Sequence, residues 1–296
     1  MITLYSFEEK YQEYLTAFEE YAKKFTETLK TEPSVLAESM KYSLLLGGKR
    51  IRPVLALATA DVLGVSREDV LPYALAIEMI HTYSLIHDDL PCMDNDDFRR
   101  GKPSNHKAFG EANAVLAGDA LLNTAYSICF EQCLKGEKYA YASKFLNDCA
   151  GIRGMLAGQS ADIYYSSVDG ERTEKELTYV YACKTGKLLL APIAIVSILA
   201  DNKFFLPLEN YGKQFGFLFQ LTDDILDEVG EFDKLGKTIG KDKEENKLTY
   251  IRLYGLDAAR MKAEFCASDC HALLEGVDGD TQFLNDLVDY VHYRNK

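Results

Sequence analysis

Two acidic clusters are the residues of this chain most able to do chemistry. They are Asp88-Asp89-Leu90-Pro91-Cys92-Met93-Asp94 and Asp223-Asp224-Ile225-Leu226-Asp227. Each follows an apolar, helix-compatible stretch, and burying unpaired carboxylates costs several kcal/mol per ion unless cations neutralise them. Clustered oxygen ligands without a nearby Cys/His set suit Mg²⁺, which bridges carboxylates to substrate phosphates. The central hypothesis is therefore that the two clusters face one another and hold a metal-bound diphosphate.

The second cluster has the simpler geometry. Asp223 and Asp227 are four residues apart and lie on one helical face, with the amide of Gln220 one turn earlier. Like charges at this spacing destabilise a helix unless they share a cation. The alternative is a solvated acidic helix face, although the apolar residues 217–219 just before it argue against full exposure.

The first cluster contains Pro91, which prevents a regular helix through Leu90. We therefore expect the helix to end near Asp89 and Asp94 to return from the following turn to join Asp88. The pair Arg99-Arg100 comes shortly afterwards, and arginine offers bidentate contacts to phosphate oxygens. A charged surface loop is the alternative.

Other cations are candidates for binding the anionic substrate. The segment 47–53, Gly-Gly-Lys-Arg-Ile-Arg-Pro, places backbone amides and three positive groups at a helix start, which suits an anion. His81 lies two helical turns before Asp88 on nearly the same face, where a core histidine is the alternative. The segment 184–187 offers a cation and a hydroxyl group inside an apolar helix. Lys237 and Lys241, in a glycine-containing loop, could close over a bound diphosphate.

The elements that must position these residues are all predicted to be helices. Apolar residues recur with helical spacing, connections are short, and no strand pattern with hairpin turns appears. Sites in helical bundles are built from side chains on facing helices. The predicted helices cover residues 7–31, 34–46, 53–63, from Pro72 into the first cluster, 111–135, 139–159, 173–198, 208–226, 247–275 and 281–293.

Composition limits the possible functions. The net charge of −13 argues against nucleic-acid binding, whose domains carry a basic face. Seven scattered cysteines indicate free thiols in a reducing compartment, and the pairs Cys129/Cys133 and Cys266/Cys270 are predicted to be core thiols, not metal ligands. The first residues show no secretory or transit signal, and the apolar stretch 188–200 is too short for a membrane span. We expect a cytoplasmic protein with no membrane span.

Four segments together resemble the trans-isoprenyl diphosphate synthases. They are GGKRIRP, HTYSLIHDDLPCMDNDDFRRGKPSNHKAFGEANAVLAGDALL, KTGKL and QLTDDILD, in the family's order. The resemblance runs from about Glu38 to Thr249 and reaches the closing residues 293–296. The four spacer residues between Asp89 and Asp94 resemble the bacterial farnesyl and plant-type geranylgeranyl branch.

The resemblance implies an all-α, single-domain bundle over residues 1–296 around a deep central cavity, assembled as a homodimer. It implies an active site with about three Mg²⁺ ions, which Mn²⁺ can replace, bound by carboxylates. The implied metal ligands are Asp88, Asp94 and Asp223, supported by Asp89, Asp224 and Asp227. The implied contacts of the allylic substrate, dimethylallyl or geranyl diphosphate, are Arg99, Lys184, Gln220 and Lys237. The implied contacts of isopentenyl diphosphate are Gly48, Lys49, Arg52, His81 and Arg100.

The reaction implied is head-to-tail condensation. Diphosphate leaves the allylic carbon, and the double bond of isopentenyl diphosphate attacks the resulting cation. The Gln220 carbonyl and the Thr185 hydroxyl are candidates for stabilising that cation as fixed dipoles. The departing diphosphate takes the proton. A class I terpene cyclase would lack the second diphosphate site, and a non-catalytic partner subunit would lose one acidic motif, whereas both motifs are intact here.

Product length is predicted from Tyr83, five residues before Asp88. Five residues of helix rise about 7.5 Å, a depth that suits a short isoprenoid chain. Ser84 is too small to block the cavity, so Tyr83 would form its floor. In the family that the chain resembles, large aromatic residues near this position limit products to fifteen carbons, which implies (2E,6E)-farnesyl diphosphate as the main product. A geranylgeranyl diphosphate synthase is the alternative, since the segment around His81 resembles that branch closely. Tyr83 would then merely pack between helices.

Overall fold

The computed structural model describes residues 6–168, 170, 172–229 and 247–294. These residues form helices and a single short hairpin. The prediction of an all-α protein is therefore confirmed. The chain forms two compact units, residues 1–61 with 65–143 and residues 62–64 with 144–296. A single domain over residues 1–296 stays a prediction.

The first unit is built around its fourth helix, which packs against the first, second and sixth helices. That helix starts after Ser66, whose hydroxyl accepts the N–H of Glu68, and it ends at Asp88, one residue before the predicted end. The elements of the unit are α1 Phe7–Thr26, α2 Val35–Leu44, α3 Ile51–Leu63, α4 Arg67–Asp88, β1 Phe98–Arg99, β2 Lys102–Pro103, α5 Asn105–Phe109 and α6 Glu111–Cys133.

The β1–β2 hairpin was not predicted. Arg100 and Gly101 form its turn with φ angles of 51° and 75°, the pair of positive φ angles that a tight two-residue hairpin turn requires. Each strand is only two residues long, too short for an alternating pattern to be visible in the sequence. The turn places Arg100 at its tip and Arg99 on the strand, so the two adjacent arginines contact different parts of the unit.

Arg50 turns into the core of the first unit, away from the anion site predicted around it. Its Nε donates to Glu19 at 2.7 Å, one Nη donates to Glu78 at 2.8 Å, and the other donates to the Leu44 carbonyl at 2.6 Å. Arg50 and Glu78 are 3% and 1% exposed. Only Lys49 and Arg52 of the three positive groups in this segment therefore remain candidates for binding an anion.

The second unit is built around its longest helix, Phe205–Val229. This helix packs against the π-helix Tyr181–Gly186 and against the helices Lys187–Leu199 and Leu256–Glu275. Two helices, α3 and α7 Glu137–Ala150, begin in the first unit and end in the second. The remaining elements are α8 Met155–Ser167, α9 Glu174–Val180, the π-helix Tyr181–Gly186, α10 Lys187–Leu199, α11 Phe205–Val229, α12 Tyr250–Tyr254, α13 Leu256–Glu275 and α14 Gln282–His292.

Two predicted continuous helices are broken at glycines. Residues 139–159 form two helices because the chain turns sharply before Gly154, where a Cβ would lie 1.9 Å from the Cys149 carbonyl oxygen. Residues 247–275 are broken at Gly255, whose φ of 85° favours glycine. The helical period of the side chains continues across both breaks, which is why the sequence pattern did not show them.

The predicted helix 173–198 is also interrupted, by the π-helix. Two glycines let neighbouring helices approach it closely: a Cβ on Gly158 would lie 2.1 Å from the Lys184 nitrogen, and one on Gly216 would lie 2.7 Å from the Gly186 Cα. π-Helical turns are frequent at functional sites. This one contains Lys184 and Thr185, two residues predicted to contact substrate.

The segment Glu174–Leu199 is long and apolar enough to cross a membrane by length and composition alone. However, 78% of its most apolar window is buried inside the protein. Every residue of α10 from Leu188 onward is buried. This is the behaviour of a core helix, as predicted for residues 188–200.

Replacing Arg50 tests the buried ion network. Arg50→Ala leaves the Glu78 carboxylate buried without its cation, and removing one partner of such a pair costs about 3–5 kcal/mol of unfolding free energy. Arg153→Ala is the matched control because the Arg153 side chain is 74% exposed; we expect a change within about 0.5 kcal/mol. Urea unfolding of both variants measures the difference. Equal midpoints for the two variants would contradict the assignment.

Candidate active site

The turn after α4 brings Asp94 back to Asp88. The backbone N–H of Asp94 donates to the Asp88 carbonyl at 2.9 Å, and that of Asn95 donates to the Leu90 carbonyl at 3.1 Å. The predicted return of Asp94 is therefore present. Asp88 and Asp94 are both half-buried, so solvent and small ions reach this turn.

Asp89, the third carboxylate of this cluster, is held by Arg99. The Arg99 Nε lies 3.1 Å and 3.2 Å from the two carboxylate oxygens, and an Nη contacts one of them as well. Asp89 is only 2% exposed. Burial raises the pKa of its carboxyl above the usual value, against the opposing effect of Arg99. In the ligand-free protein Arg99 thus neutralises a predicted metal ligand.

Arg100 lies against the glycines before α3. Its guanidinium donates to the Gly47 carbonyl, and a Cβ on Gly48 would lie 2.6 Å from the Arg100 Cζ. Gly48 has a φ of 118°, so both this backbone angle and the close contact with Arg100 favour glycine at this position. The Lys49 carbonyl accepts a hydrogen bond from the Tyr11 hydroxyl. These contacts bring three predicted ligands of isopentenyl diphosphate together within the first unit.

His81 lies in a region where several arginines place positive charge. Burial lowers the pKa of its imidazole well below the usual value, and the positive charges of Arg52, Arg100, Arg50 and Arg99 lower it further. His81 is therefore neutral at physiological pH. Neighbouring positive charges repel one another. The binding of an anion relieves this repulsion, so the region favours an anionic ligand.

The second acidic cluster lines a cavity of about 150 Å³ in the second unit. Asp223 is half-buried, whereas Asp224 and Asp227 are 4% and 7% exposed. The same cavity is lined by three other predicted site residues, Lys184, Thr185 and Gln220. Every predicted site residue of the second unit that the structure describes therefore lies around one space. Lys237 and Lys241 lie outside the described residues.

The polar groups of this cavity are connected by hydrogen bonds. The Thr185 hydroxyl donates to the Gln220 carbonyl oxygen at 2.6 Å, and the Gln220 amide nitrogen donates to Asp224 at 3.0 Å. Asp224 also accepts the hydroxyl of Tyr181. The two dipoles predicted to stabilise a cation, Thr185 and Gln220, are thus already oriented by each other.

Sequence reasoning missed three polar partners of these residues. Asp162 is 7% exposed and holds the Lys184 ammonium at 2.5 Å. Arg294 pairs with Asp223 at 2.7 Å, donates to the Phe219 carbonyl at 3.0 Å and lies over the Phe219 ring at 4.2 Å. The third partner is Tyr181. The sequence signal was available only for Arg294, which lies in the closing segment covered by the resemblance.

The carboxylates fit a hard divalent cation by their chemistry. Carboxylate oxygens are the protein ligands that Mg²⁺ prefers. Across residues 6–168, 170, 172–229 and 247–294, no three His, Cys, Asp or Glu side chains are already gathered as a metal ion requires. In the ligand-free protein Arg99 pairs with Asp89 and Arg294 with Asp223, so a cation that binds these two acids competes with an arginine for each of them.

The cysteine pairs do not compete as metal ligands. All four thiols are free, and three of them, Cys129, Cys266 and Cys270, are buried. Burial raises the pKa of Cys129 to about 12 and that of Cys266 to about 11. Protonated, buried thiols bind metal poorly, which agrees with the prediction of core thiols.

Tyr83, the predicted floor, is 4% exposed on α4. Its ring meets that of His87 edge-on at 5.7 Å. No described residue bonds to its buried hydroxyl group. Ser84 donates back to the His81 carbonyl at 2.9 Å and is half-buried. A large aromatic side chain therefore fills the interior of the first unit at the predicted position.

Known proteins resemble this chain over nearly its whole length. The farnesyl diphosphate synthase of Micrococcus luteus is 42% identical over 294 residues, which cover 96% of this chain and 99% of that protein. Geranylgeranyl pyrophosphate synthase 4 of Arabidopsis thaliana is 41% identical over 270 residues, 89% of this chain and 72% of that protein.

Solved structures agree with these relatives. A geranyltransferase from Helicobacter pylori, complexed with magnesium and isoprenyl diphosphate, has a TM-score of 0.83 and 31% identity, covering 95% of this chain and 94% of that chain. The sequence pattern described as polyprenyl synthetase matches residues 33–271. The resemblance predicted from the motifs is confirmed: the chain belongs to the polyprenyl synthetase family.

Proposed function

We propose that this chain is a Mg²⁺-dependent prenyltransferase. It condenses isopentenyl diphosphate with dimethylallyl diphosphate, and then with geranyl diphosphate, to give (2E,6E)-farnesyl diphosphate. The observation that carries this proposal is the cavity of the second unit, where carboxylates, a lysine and two oriented dipoles line one space. These groups are the ones needed to bind a metal diphosphate and to stabilise a positive charge beside it.

We assign the metal to the aspartates of both motifs: Asp88, Asp94 and Asp223, supported by Asp89, Asp224 and Asp227. Mg²⁺, about three ions per site with Mn²⁺ as a substitute, neutralises negative charge on the leaving diphosphate. The family and the magnesium-bound Helicobacter pylori relative support this metal. In the ligand-free protein, Arg99 pairs with Asp89 and Arg294 pairs with Asp223. Lys184, held by Asp162, contributes a fixed positive charge to the allylic diphosphate.

Isopentenyl diphosphate binds to the positive region of the first unit, which we assign to Gly48, Lys49, Arg52, His81 and Arg100. His81 contributes a hydrogen bond and no charge, because burial, and after it the surrounding arginines, lowers the pKa of its imidazole. The arginines supply the charge. A second diphosphate site, separate from the metal-bound one, is what distinguishes a condensing enzyme from a cyclase.

Bond formation requires a positive allylic carbon beside the isopentenyl double bond. The Gln220 carbonyl and the Thr185 hydroxyl oxygen offer the negative ends of their dipoles to this carbon. The proton lost at the end goes to the departing diphosphate. No side-chain nucleophile takes part.

A second candidate is a geranylgeranyl diphosphate synthase. The Arabidopsis relative is nearly as similar as the bacterial farnesyl diphosphate synthase, at 41% against 42% identity. We favour the fifteen-carbon product because Tyr83 is a bulky, buried side chain on the helix that leads to the first aspartates. We further propose that the enzyme is a cytoplasmic homodimer, as the resemblance implies.

Removing either motif's first carboxylate tests the metal assignment. Asp88→Asn and Asp223→Asn keep the side-chain shape but remove the negative charge that binds Mg²⁺. We expect each variant to lose turnover by orders of magnitude while its circular dichroism stays that of the wild type. Asp278→Asn, at an exposed carboxylate, is the matched control and should keep full activity. Near-normal turnover in either motif variant would refute the assignment.

Adding a methyl group at Gly48 tests the isopentenyl diphosphate site. Its Cβ would displace Arg100, so Gly48→Ala should raise the KM for isopentenyl diphosphate about tenfold or more, the loss expected for one charged contact. The KM for the allylic substrate should stay unchanged. Gly47→Ala is the control, since its φ of 83° is also positive but its Cβ would meet no atom within 4 Å. The same increase in both variants would mean that backbone strain, and not Arg100, is responsible.

Shortening Tyr83 tests the product-length assignment. Tyr83→Ala should open the cavity and shift the products to twenty carbons or more, at little cost to the first condensation. Chromatography of the dephosphorylated products measures the distribution. If wild type already makes mainly the twenty-carbon product, or if the variant's products do not change, Tyr83 is not the floor.

A further inference from the structure

A chain of hydrogen bonds begins at Tyr181, a residue that the proposed mechanism does not use. Tyr181 opens the π-helix and is 3% exposed. Its hydroxyl donates to Asp224 Oδ2 and accepts the backbone N–H of Tyr250 at 2.8 Å. A hydroxyl group has one proton, and the N–H of Tyr250 occupies one of its lone pairs. The proton of Tyr181 is therefore directed at Asp224.

Asp224 passes this restraint on to Gln220. Its Oδ1 accepts the Gln220 amide nitrogen at 3.0 Å, while the Gln220 oxygen accepts the Thr185 hydroxyl at 2.6 Å. Rotating the amide by half a turn would set its N–H groups against the donating hydroxyl and its oxygen against the carboxylate. Only one orientation of Gln220 is compatible with these partners, provided that Asp224 stays in place.

Packing fixes the position of the Tyr181 hydroxyl. The Tyr181 ring lies 5.3 Å from the Phe217 ring, and it forms an apolar cluster with Leu177 and Leu248. These neighbours restrain the ring, so the hydroxyl is held in place as a donor. Fixed donors and acceptors act on a developing charge without first having to reorganise.

We infer that Tyr181 is a positioning residue that, through Asp224, fixes the amide of Gln220 with its carbonyl oxygen available to the allylic cation. This inference rests on the proposed function. A rotated amide would present its positive N–H end to the same carbon. Because the positive charge develops only in the transition state, the restraint acts on kcat more than on KM.

The first test compares two tyrosines that each lose one buried hydroxyl. Tyr181→Phe should lower kcat about tenfold or more, as for a hydrogen bond to a charged group, while the KM values for both substrates stay within about twofold. Tyr211→Phe is the control, because Tyr211 is fully buried on α11 and its hydroxyl donates only to the Leu284 carbonyl among the bonds described, at 3.2 Å. Its kcat should stay that of the wild type. Equal losses in both variants would overturn the inference.

A double-mutant cycle asks whether Tyr181 acts through Gln220. Gln220→Ala removes the amide, so Tyr181→Phe should cause no further loss of kcat in that background. Losses that multiply would mean that Tyr181 acts independently, and the inference would be wrong.

A second pair of variants changes the same hydrogen-bond chain at its other end. Tyr250 is the first residue of α12, a position where proline is tolerated. The Tyr250 N–H donates to the Tyr181 hydroxyl at 2.8 Å and also to Asp224 Oδ2 at 3.3 Å. Tyr250→Pro removes the ring and this shared N–H, whereas Tyr250→Ala removes the ring alone. We expect the proline variant to have the lower kcat. Equal kcat values would count against the inference.

The orientation of Gln220 can also be read without substrate. The side-chain amide resonances of Gln220, assigned by their absence in Gln220→Ala, should shift in ligand-free Tyr181→Phe and not in Tyr211→Phe. Unchanged resonances in Tyr181→Phe would overturn the inference even if kcat falls. Absence of condensation activity in wild type would instead refute the proposed function, and the resonances would still report on Tyr181.

Discussion

The neutralisation of buried carboxylates is the physical constraint on which the rest of this structure depends. Asp89 is held by Arg99 and Asp223 by Arg294. Asp224, which is almost fully buried, is held by hydrogen bonds from Tyr181 and Gln220. Each of these three carboxylates therefore has a protein partner that offsets the cost of its burial.

Backbone geometry places the positive and dipolar groups that complement these acids. The tight β1–β2 turn directs Arg99 to Asp89 and Arg100 to the glycines before α3. In the second unit, Gly158 and Gly216 allow α8 and α11 to approach the π-helix that carries Lys184 and Thr185. Small residues thus determine which charged groups can meet. A side chain at Gly48 or Gly216 would change the site without altering any charge.

The sequence predicted what depends on side-chain type and local spacing. Helical periodicity indicated the all-α class, Pro91 indicated the end of α4, and the spacing of the aspartates indicated a metal-binding function. Contacts between residues distant in sequence could not be predicted in this way. The inward direction of Arg50 depends on Glu19 and Glu78, and the π-helix depends on glycines in two other helices. Asp162 and Tyr181 were missed because their partners are 22 and 43 positions away.

The most direct test of the account is the reaction of the purified chain itself. The chain is incubated with isopentenyl and dimethylallyl diphosphate, with Mg²⁺ or with a chelator in its place, and the dephosphorylated products are separated by length. The account predicts that a fifteen-carbon product accumulates only when Mg²⁺ is present. No condensation with Mg²⁺ and both substrates, or equal condensation with the chelator, would contradict it.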